Sequence, residues 1–357
     1  MLEAGGHSAR GADLPPRPRI VVVQTAFLGD VVLTTPLFAA LRRCFPQAHL
    51  DAVVTPQAAP LVEENPHLDG VLVYDKRGGQ TLFGMLRTLR AGNYDCLVAP
   101  HRSSRTALLT LGSRIARRVG FADAALAWAY HSRVPRRLDL HEVDRNLLLL
   151  EGLGRSATEE DRQLTVEYTA AEASAVAACL ERAGVDRREP LVGLCAGSVW
   201  ETKRWLPEGF AAVGRQFASR GFRPILLGGP EDVELSAVIA SQIGPRAVNA
   251  AGSTPLKALA AWMDRLALVV TNDSAPLHVA AARQVPTVAV FGATTTELGF
   301  GPFRTRSTVI ESNQPCRPCG AHGGRRCRHQ HFLCMTAIDP QAVVDAGLAL
   351  LRCNEAP

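Results

Sequence analysis

Short β-rich runs alternate with amphipathic helical stretches along almost the whole chain, and the alternation happens twice. In the first half the runs lie at residues 20–24, 50–54, 70–74 and 96–99. The clearest helical pattern among them, 31–44, repeats Leu33, Leu37, Leu41 and Cys44 at spacings of three and four, the period of a helix with one buried face. Such alternation builds a parallel sheet with helices on both faces. A polar and Ala-rich pause over 153–188 follows, with a helix expected near 170–183. Strand runs then resume at 191–195, 224–227, 247–249, 266–271 and 287–291, with helices at 207–220, 230–243, 255–263 and 276–283. The expected architecture is α/β, with two similar halves facing a cleft.

Composition agrees with that scheme. A chain of 357 residues with 47% hydrophobic content can fill two cores, which excludes a disordered chain, a collagen and a disulfide miniprotein. Lys plus Arg is 39 and Asp plus Glu 34, a net charge of +5; this permits anionic partners without identifying one. No uninterrupted apolar run reaches the length of a membrane-crossing helix. Residues 1–18 lack the apolar segment of a secretory signal and read as a disordered extension, with Pro15, Pro16 and Pro18 delaying regular structure. Nine cysteines without an export signal point to a reducing, cytoplasmic setting.

In open parallel sheets ligands bind where strands end, so the strand-to-helix turns carry the chemistry. The first turn, after residue 24, runs Thr25-Ala26-Phe27-Leu28-Gly29-Asp30. Asp30 is either a charge at a helix start or a general base facing the cleft. The turn lacks the glycine fingerprint of a dinucleotide site. A second turn, Gly197-Ser198 through Thr202-Lys203-Arg204, offers backbone N–H groups, hydroxyls and cations suited to phosphate, or simply solvated charges. A third, Leu227-Gly228-Gly229-Pro230-Glu231-Asp232, is either a tight turn or a ligand loop. The fourth, Asn272-Asp273-Ser274-Ala275-Pro276-Leu277-His278, brings polar groups into a helix start. All four are expected on one rim of one sheet.

Together with Val31-Val32-Leu33-Thr34-Thr35-Pro36, Trp205 and Phe291-Gly292-Ala293-Thr294-Thr295, these turns resemble glycosyltransferase family 9, the ADP-heptose:lipopolysaccharide heptosyltransferases, and most nearly its type II members. The likeness spans roughly residues 19–340. It implies a GT-B fold of two Rossmann-like domains, with 19–170 binding acceptor, 171–340 binding nucleotide-sugar and 341–357 forming a terminal helix and tail. It also implies an inverting, metal-independent transfer from ADP-heptose to a Kdo-lipid A or heptosyl-Kdo-lipid A acceptor, adding the second heptose. The family's catalytic carboxylate falls on Asp30. Its nucleotide-sugar residues fall on Ser198, Thr202, Lys203, Glu231, Thr254, Asp273, Ser274, Ala275 and His278, and Thr296 stands where relatives carry Pro. The alternatives are a family member using another sugar or acceptor, or an inactive nucleotide-binding relative. The chain contains no Asp-x-Asp, which argues against a metal-dependent transferase of the other fold.

Arg102, Arg105, Arg114, Arg117, Arg118, Arg133, Arg136 and Arg137 face one acid, Asp123, in the 101–137 segment. With Lys76 and Arg77 they suggest a face for the phosphates and carboxylates of the acceptor, with Lys76, Arg77, Arg102 and Arg105 as candidate ligands. The same charges suit peripheral contact with the inner membrane. No aromatic platform supports nucleic acid. No cofactor is expected for catalysis. Cys316, Cys319, Cys327 and Cys334, near His322, His329 and His331, have the look of a structural zinc site or of free thiols in a surface loop.

Overall fold

The computed structural model describes residues 14–76 and 78–352. The first sheet contains β1 (Arg19–Val23), β2 (His49–Val54), β3 (Gly70–Val73), β4 (Cys96–Ala99), β5 (Arg117–Phe121) and β6 (Ser132–Val134). The second contains β7 (Leu191–Cys195), β8 (Arg223–Leu226), β9 (Val248–Asn249), β10 (Leu268–Asn272), β11 (Thr287–Phe291) and β12 (Ser307–Glu311). Their orders are β3-β2-β1-β4-β5-β6 and β12-β11-β10-β7-β8-β9, and every pairing is parallel. Strand order reverses between β1 and β4 in one sheet and between β7 and β10 in the other. Those switch points open crevices at strand C-termini; the first polar turn follows β1 of the first sheet and the other three follow β7, β8 and β10 of the second, so the turns share two facing sheets rather than one rim of one sheet.

The central strands read as continuous apolar runs because both of their faces are covered; β7, β10 and β11 are buried throughout. The first sheet is covered by α1 (Leu28–Val32), α2 (Thr35–Cys44), α3 (Leu82–Ala91), α4 (Ser104–Ser113) and α5 (Glu142–Leu148). A Thr169/Glu172 capping box starts α6 (Ala170–Arg182). Then come α7 (Pro207–Ser219), α8 (Val233–Ile243), α9 (Ala258–Met263), α10 (Ala275–Ala282), α11 (Leu333–Thr336) and α12 (Pro340–Arg352). Helix α6 packs on α9, and α12 packs on α7 and the second sheet, with Val343 and Val344 buried.

Several expectations change. The helix expected over 31–44 is two helices: Pro36 cannot donate to the carbonyl one turn back, and its ring crowds it. Thr34 Oγ1 instead donates to Asp30 O at 2.8 Å and Thr35 Oγ1 to Val32 O at 2.8 Å. Strands β5, β6 and β12 escape the sequence pattern because they are short and polar-rich, and β5 opens on two arginines. Of the extension expected to be disordered, residues 1–13 lie outside the described residues, while Leu14 packs against the first core and Pro18 is buried.

The halves meet through a continuous apolar core that joins β1 and α1 to α9 and α10. Polar ties reinforce it. Lys257 Nζ reaches Glu64 Oε1 at 2.7 Å, and Arg283 pairs with Glu167 and Asp264 at 3.0 and 2.7 Å. His141 stacks on Phe303 with ring centroids 4.5 Å apart. Fully buried Arg145 donates to Arg137 O at 2.9 Å on its own side and to Leu298 O at 2.8 Å across the junction. The acceptor of that last bond belongs to the turn Thr296–Leu298.

Candidate active site

One cavity of about 1650 Å³ lies between the sheets. Residues of all four turns reach it: Asp30 from the first, Ser198 and Arg204 from the second, Glu231 and Asp232 from the third, and Ser274 and Ala275 from the fourth. Thr254 lines it too, beside an apolar corner of Leu256, Leu259 and buried Trp262, whose Nε1 donates to Thr254 Oγ1 at 3.0 Å.

Asp30 is half-buried in α1, held by a turn that Gln24, Thr34 and Asn146 lock from behind. Burial, then the negative charge of nearby Glu142, raises its pKa to about 7, while Lys203 opposes the shift. Glu142 is itself pinned by Arg136 at 2.7 Å and Arg145 at 2.9 Å. A carboxyl poised near neutrality in a cleft is suited to proton transfer.

His278 does not reach the cavity surface. Its ring is buried against the backbone of Gly29, Nδ1 has no hydrogen-bond partner, and burial lowers its pKa to about 3. A Cβ at position 29 would stand 2.8 Å from His278 Cδ2, so glycine is required here by close approach rather than by backbone angle. Gly29→Ala is therefore expected to push α1 off α10 and lower kcat/KM about 10- to 100-fold, because small misplacements of reacting groups are costly. Steady-state kinetics with a melting curve will check it; an unimpaired variant would show that this contact does not set the geometry.

Lys203 and Asp273 also sit beneath the cavity rather than on its wall. Their Nζ–Oδ2 distance is 2.6 Å, both are largely buried, and Thr294 Oγ1 donates to the same carboxylate oxygen at 2.6 Å. Thr202 is buried and accepts from Gly324 N at 2.7 Å, tying the second turn to a later loop. Asn272 holds the second turn from the fourth: Trp205 N donates to its Oδ1 at 3.0 Å, and its Nδ2 donates to Ala196 O at 2.8 Å. The N-terminus of α10, with Ser274 as N-cap, Pro276 in its first turn and Leu277 N donating to Ser274 O at 3.0 Å, opens on the cavity through Ser274, Ala275 and Pro276.

Three contributors escaped the sequence reading. Asp232, rather than only Glu231, joins the glycine loops: Gly229 N donates to it at 3.1 Å, and a side chain at Gly197 would collide with its carboxylate. Glu142, in the first turn of α5, lines the cavity beside Asp30. His101 lines the opposite end of the cavity, its Nδ1 within 3.0 and 2.9 Å of the Thr25 and Thr106 hydroxyls. Burial and the neighbouring Lys76 and Arg102 charges lower its pKa to about 4, so it is neutral at pH 7. Asp232 stands in the third turn itself, where only its neighbour Glu231 is a site candidate from the sequence.

The basic segment divides. Lys76, Arg102 and Arg136 line the cavity, with Lys76 Nζ on Thr25 O at 2.7 Å and Arg102 paired to Asp123 at 2.9 Å. Arg105 is exposed on α4 away from the cavity wall, and Arg77 lies outside the described residues. Arg118 donates to Ala129 O and Ile115 O at 2.8 and 2.9 Å, Arg117 to Gly152 O at 2.9 Å, and Arg137 to Asp139 at 2.6 Å. The single arginine-lined face expected from composition is thus mostly structural pairing.

The zinc expectation finds no support. Cys319, Cys327 and Cys334 border a small cavity of about 50 Å³. Cys334 is buried on α11, however, and the Cys319 thiol turns to Cys316 O at 3.4 Å. Among the described residues no three His, Cys, Asp or Glu side chains are arranged to hold a metal ion.

Comparison with known proteins gives a consistent answer. The model for glycosyltransferase family 9 (heptosyltransferase) matches residues 83–328. Lipopolysaccharide heptosyltransferase 3 of Escherichia coli is 28% identical over 75% of this chain and 82% of its own. Lipopolysaccharide heptosyltransferase 2 of E. coli K12 is 24% identical over 95% and 100%. Among solved structures, a family 9 glycosyl transferase from Veillonella parvula has a TM-score of 0.82 at 27% identity, covering 94% of this chain and 97% of that one. The ADP-heptose lps heptosyltransferase II of E. coli has a TM-score of 0.76 at 24% identity, covering 95% and 100%. The two-sheet architecture is that of the GT-B-like neighbours.

Proposed function

Because the chain belongs to glycosyltransferase family 9, we propose that it is an inverting heptosyltransferase of the lipopolysaccharide inner core. It takes L-glycero-D-manno-heptose from ADP-heptose and adds it as the second heptose to heptosyl-Kdo-lipid A. The observation that carries this reading is the apposition, across one cavity, of the half-buried Asp30 and the N-terminus of α10, with the Lys203–Asp273 pair beneath.

In the proposed reaction the Asp30 carboxylate accepts the proton of an acceptor hydroxyl as that oxygen attacks the anomeric carbon. The bond from that carbon to the diphosphate breaks and its electron pair leaves with ADP; one displacement inverts the centre. Positive charge developing on the sugar is stabilised by the carboxylate. Negative charge developing on the diphosphate meets the α10 N-terminus, Arg204 and the field of Lys203. Thr254 and the apolar corner at Trp262 suit a flat base, and Lys76, His101 and Arg102 suit the acidic sugars of the acceptor.

A second reading has its own observation. The match to heptosyltransferase 2 is nearly full-length, yet identity to heptosyltransferase 3 is higher, which favours addition of a third heptose. Transfer from ADP-heptose, measured in parallel on Kdo-lipid A bearing no heptose, one or two, separates them. Product with the one-heptose acceptor alone is expected. Product with only the two-heptose acceptor would move the assignment to the third addition, and no product with any would remove the heptosyl reading. The acceptor is lipid-linked in each case, so the enzyme works at a membrane surface, although no described helix is long and apolar enough to cross one.

A further inference from the structure

We propose that the outer face of α3 and α4, with the turn Ala127–Ala129, seats this protein on an anionic lipid bilayer; the inference rests on the lipid-linked acceptor just described. Large apolar side chains are exposed together there: Phe83 at 79%, Trp128 at 62%, Leu108 at 44%, and Leu111 and Leu126 at 37%. Helix α4 shows Arg105, Leu108 and Leu111 on one exposed stripe, and α3 shows Phe83, Arg87 and Arg90. The helices lie side by side. Leu86 of α3 fills the space above Gly112 of α4, and Arg90 donates to Gly112 O at 3.0 and 2.7 Å. The turn packs on α4, so the stripes form one face.

Charge chooses the occupant. Helices α3 and α4 expose Arg87, Arg90 and Arg105 and contain no acid, and the C-cap of α4 is the exposed Arg114. Asp123 is paired with Arg102, and Asp95 accepts from Arg19 N at 2.8 Å. Aromatic side chains interleaved with arginine suit the headgroup level of an anionic membrane. A second copy of the same face would set like charges against one another. Location adds to this: Asp123, Ala124 and Ala125 line the cavity, and Leu126 and Trp128 follow directly. Arg102 and Ser103 line it and lead into α4. A lipid-anchored acceptor can therefore enter the cavity from the bilayer that the face rests on.

Co-sedimentation of the full chain with phosphatidylcholine vesicles, with and without phosphatidylglycerol, tests this without any donor or acceptor, so its outcome is separate from that of the transfer assay. Binding is expected only to the anionic vesicles. It should fall about tenfold or more in Phe83→Ser/Trp128→Ser and again in Arg87→Gln/Arg114→Gln, all exposed positions whose replacement leaves the core intact. Absence of binding by the wild type, or equal binding by both double variants, would overturn the proposal. So would a wild-type dimer in light scattering that Phe83→Ser/Trp128→Ser dissolves, which would give the face to a second copy.

Discussion

Asp30→Asn should lower the rate of transfer about 10³-fold while leaving donor affinity within about twofold, since a positioned general base contributes roughly 10² to 10⁴ and the amide keeps the shape of the side chain. The pH dependence supplies a second, independent reading. With Asp30 titrating near 7, the ionised base is scarce at pH 6 and abundant at pH 8. Wild-type kcat/KM should therefore climb with pH and level off above about 7.

Stability should move the other way. The unfolded chain releases this proton near 3.8 and the folded chain holds it to about 7. Between those values the native state binds more protons, so stability falls as pH rises. Asp30→Asn removes that dependence, and its Tm should exceed that of the wild type at pH 8, with the gap closing toward pH 4. Full transfer activity in the variant, or a wild-type profile flat from 6 to 8, would take the base assignment away from Asp30.

The second large effect is expected at Lys203. Its Nζ is the cation facing a carboxylate that is 4% exposed, so Lys203→Met leaves Asp273 with only the Thr294 hydroxyl. Breaking a buried pair on one side costs about 3–5 kcal/mol. For a domain of about 170 residues that corresponds to a fall in Tm of roughly 6–20 °C, accompanied by weaker binding of ADP. Pairing the change with Asp273→Asn removes the stranded charge and should restore most of the Tm, while transfer stays low because the positive field at the diphosphate is still missing. If the single variant melts like the wild type, the pair is not what holds the fourth turn to the second. If the double variant regains transfer, Lys203 is structural only.

How much of this was legible depends on the range of the interaction. The strands 191–195 and 287–291 could be read to the residue because a strand buried on both faces needs an uninterrupted apolar run. The glycine-bearing turns could be read because a backbone that approaches a ligand or a neighbouring helix closely has no room for a Cβ. Asp30 stood out through its place at a strand end, and Ala275 through the family resemblance alone. Lys203, Asp273 and His278 were also singled out, but as ligand-facing groups, and the structure puts them underneath: a lysine–aspartate pair and a histidine packed on Gly29 have the same local sequence whether they point up or down.

The arginines of the 101–137 segment show the same limit from the other side. Composition counts them as one basic face, whereas Arg117, Arg118 and Arg137 spend their donors on carbonyls and a neighbouring carboxylate, because Arg satisfies whatever acceptor the fold brings within reach. Sequence by itself determined the α/β class, the twofold alternation, the strand ends at which the polar turns lie and the family, but not that two facing sheets share those turns. Tertiary structure alone decided which carboxyl sits at neutrality, which charges cancel in pairs and which loops Asp232 joins. Apolar period and turn chemistry are properties of a few neighbouring residues, but burial, pKa and pairing are set by groups that folding brings together from the two halves.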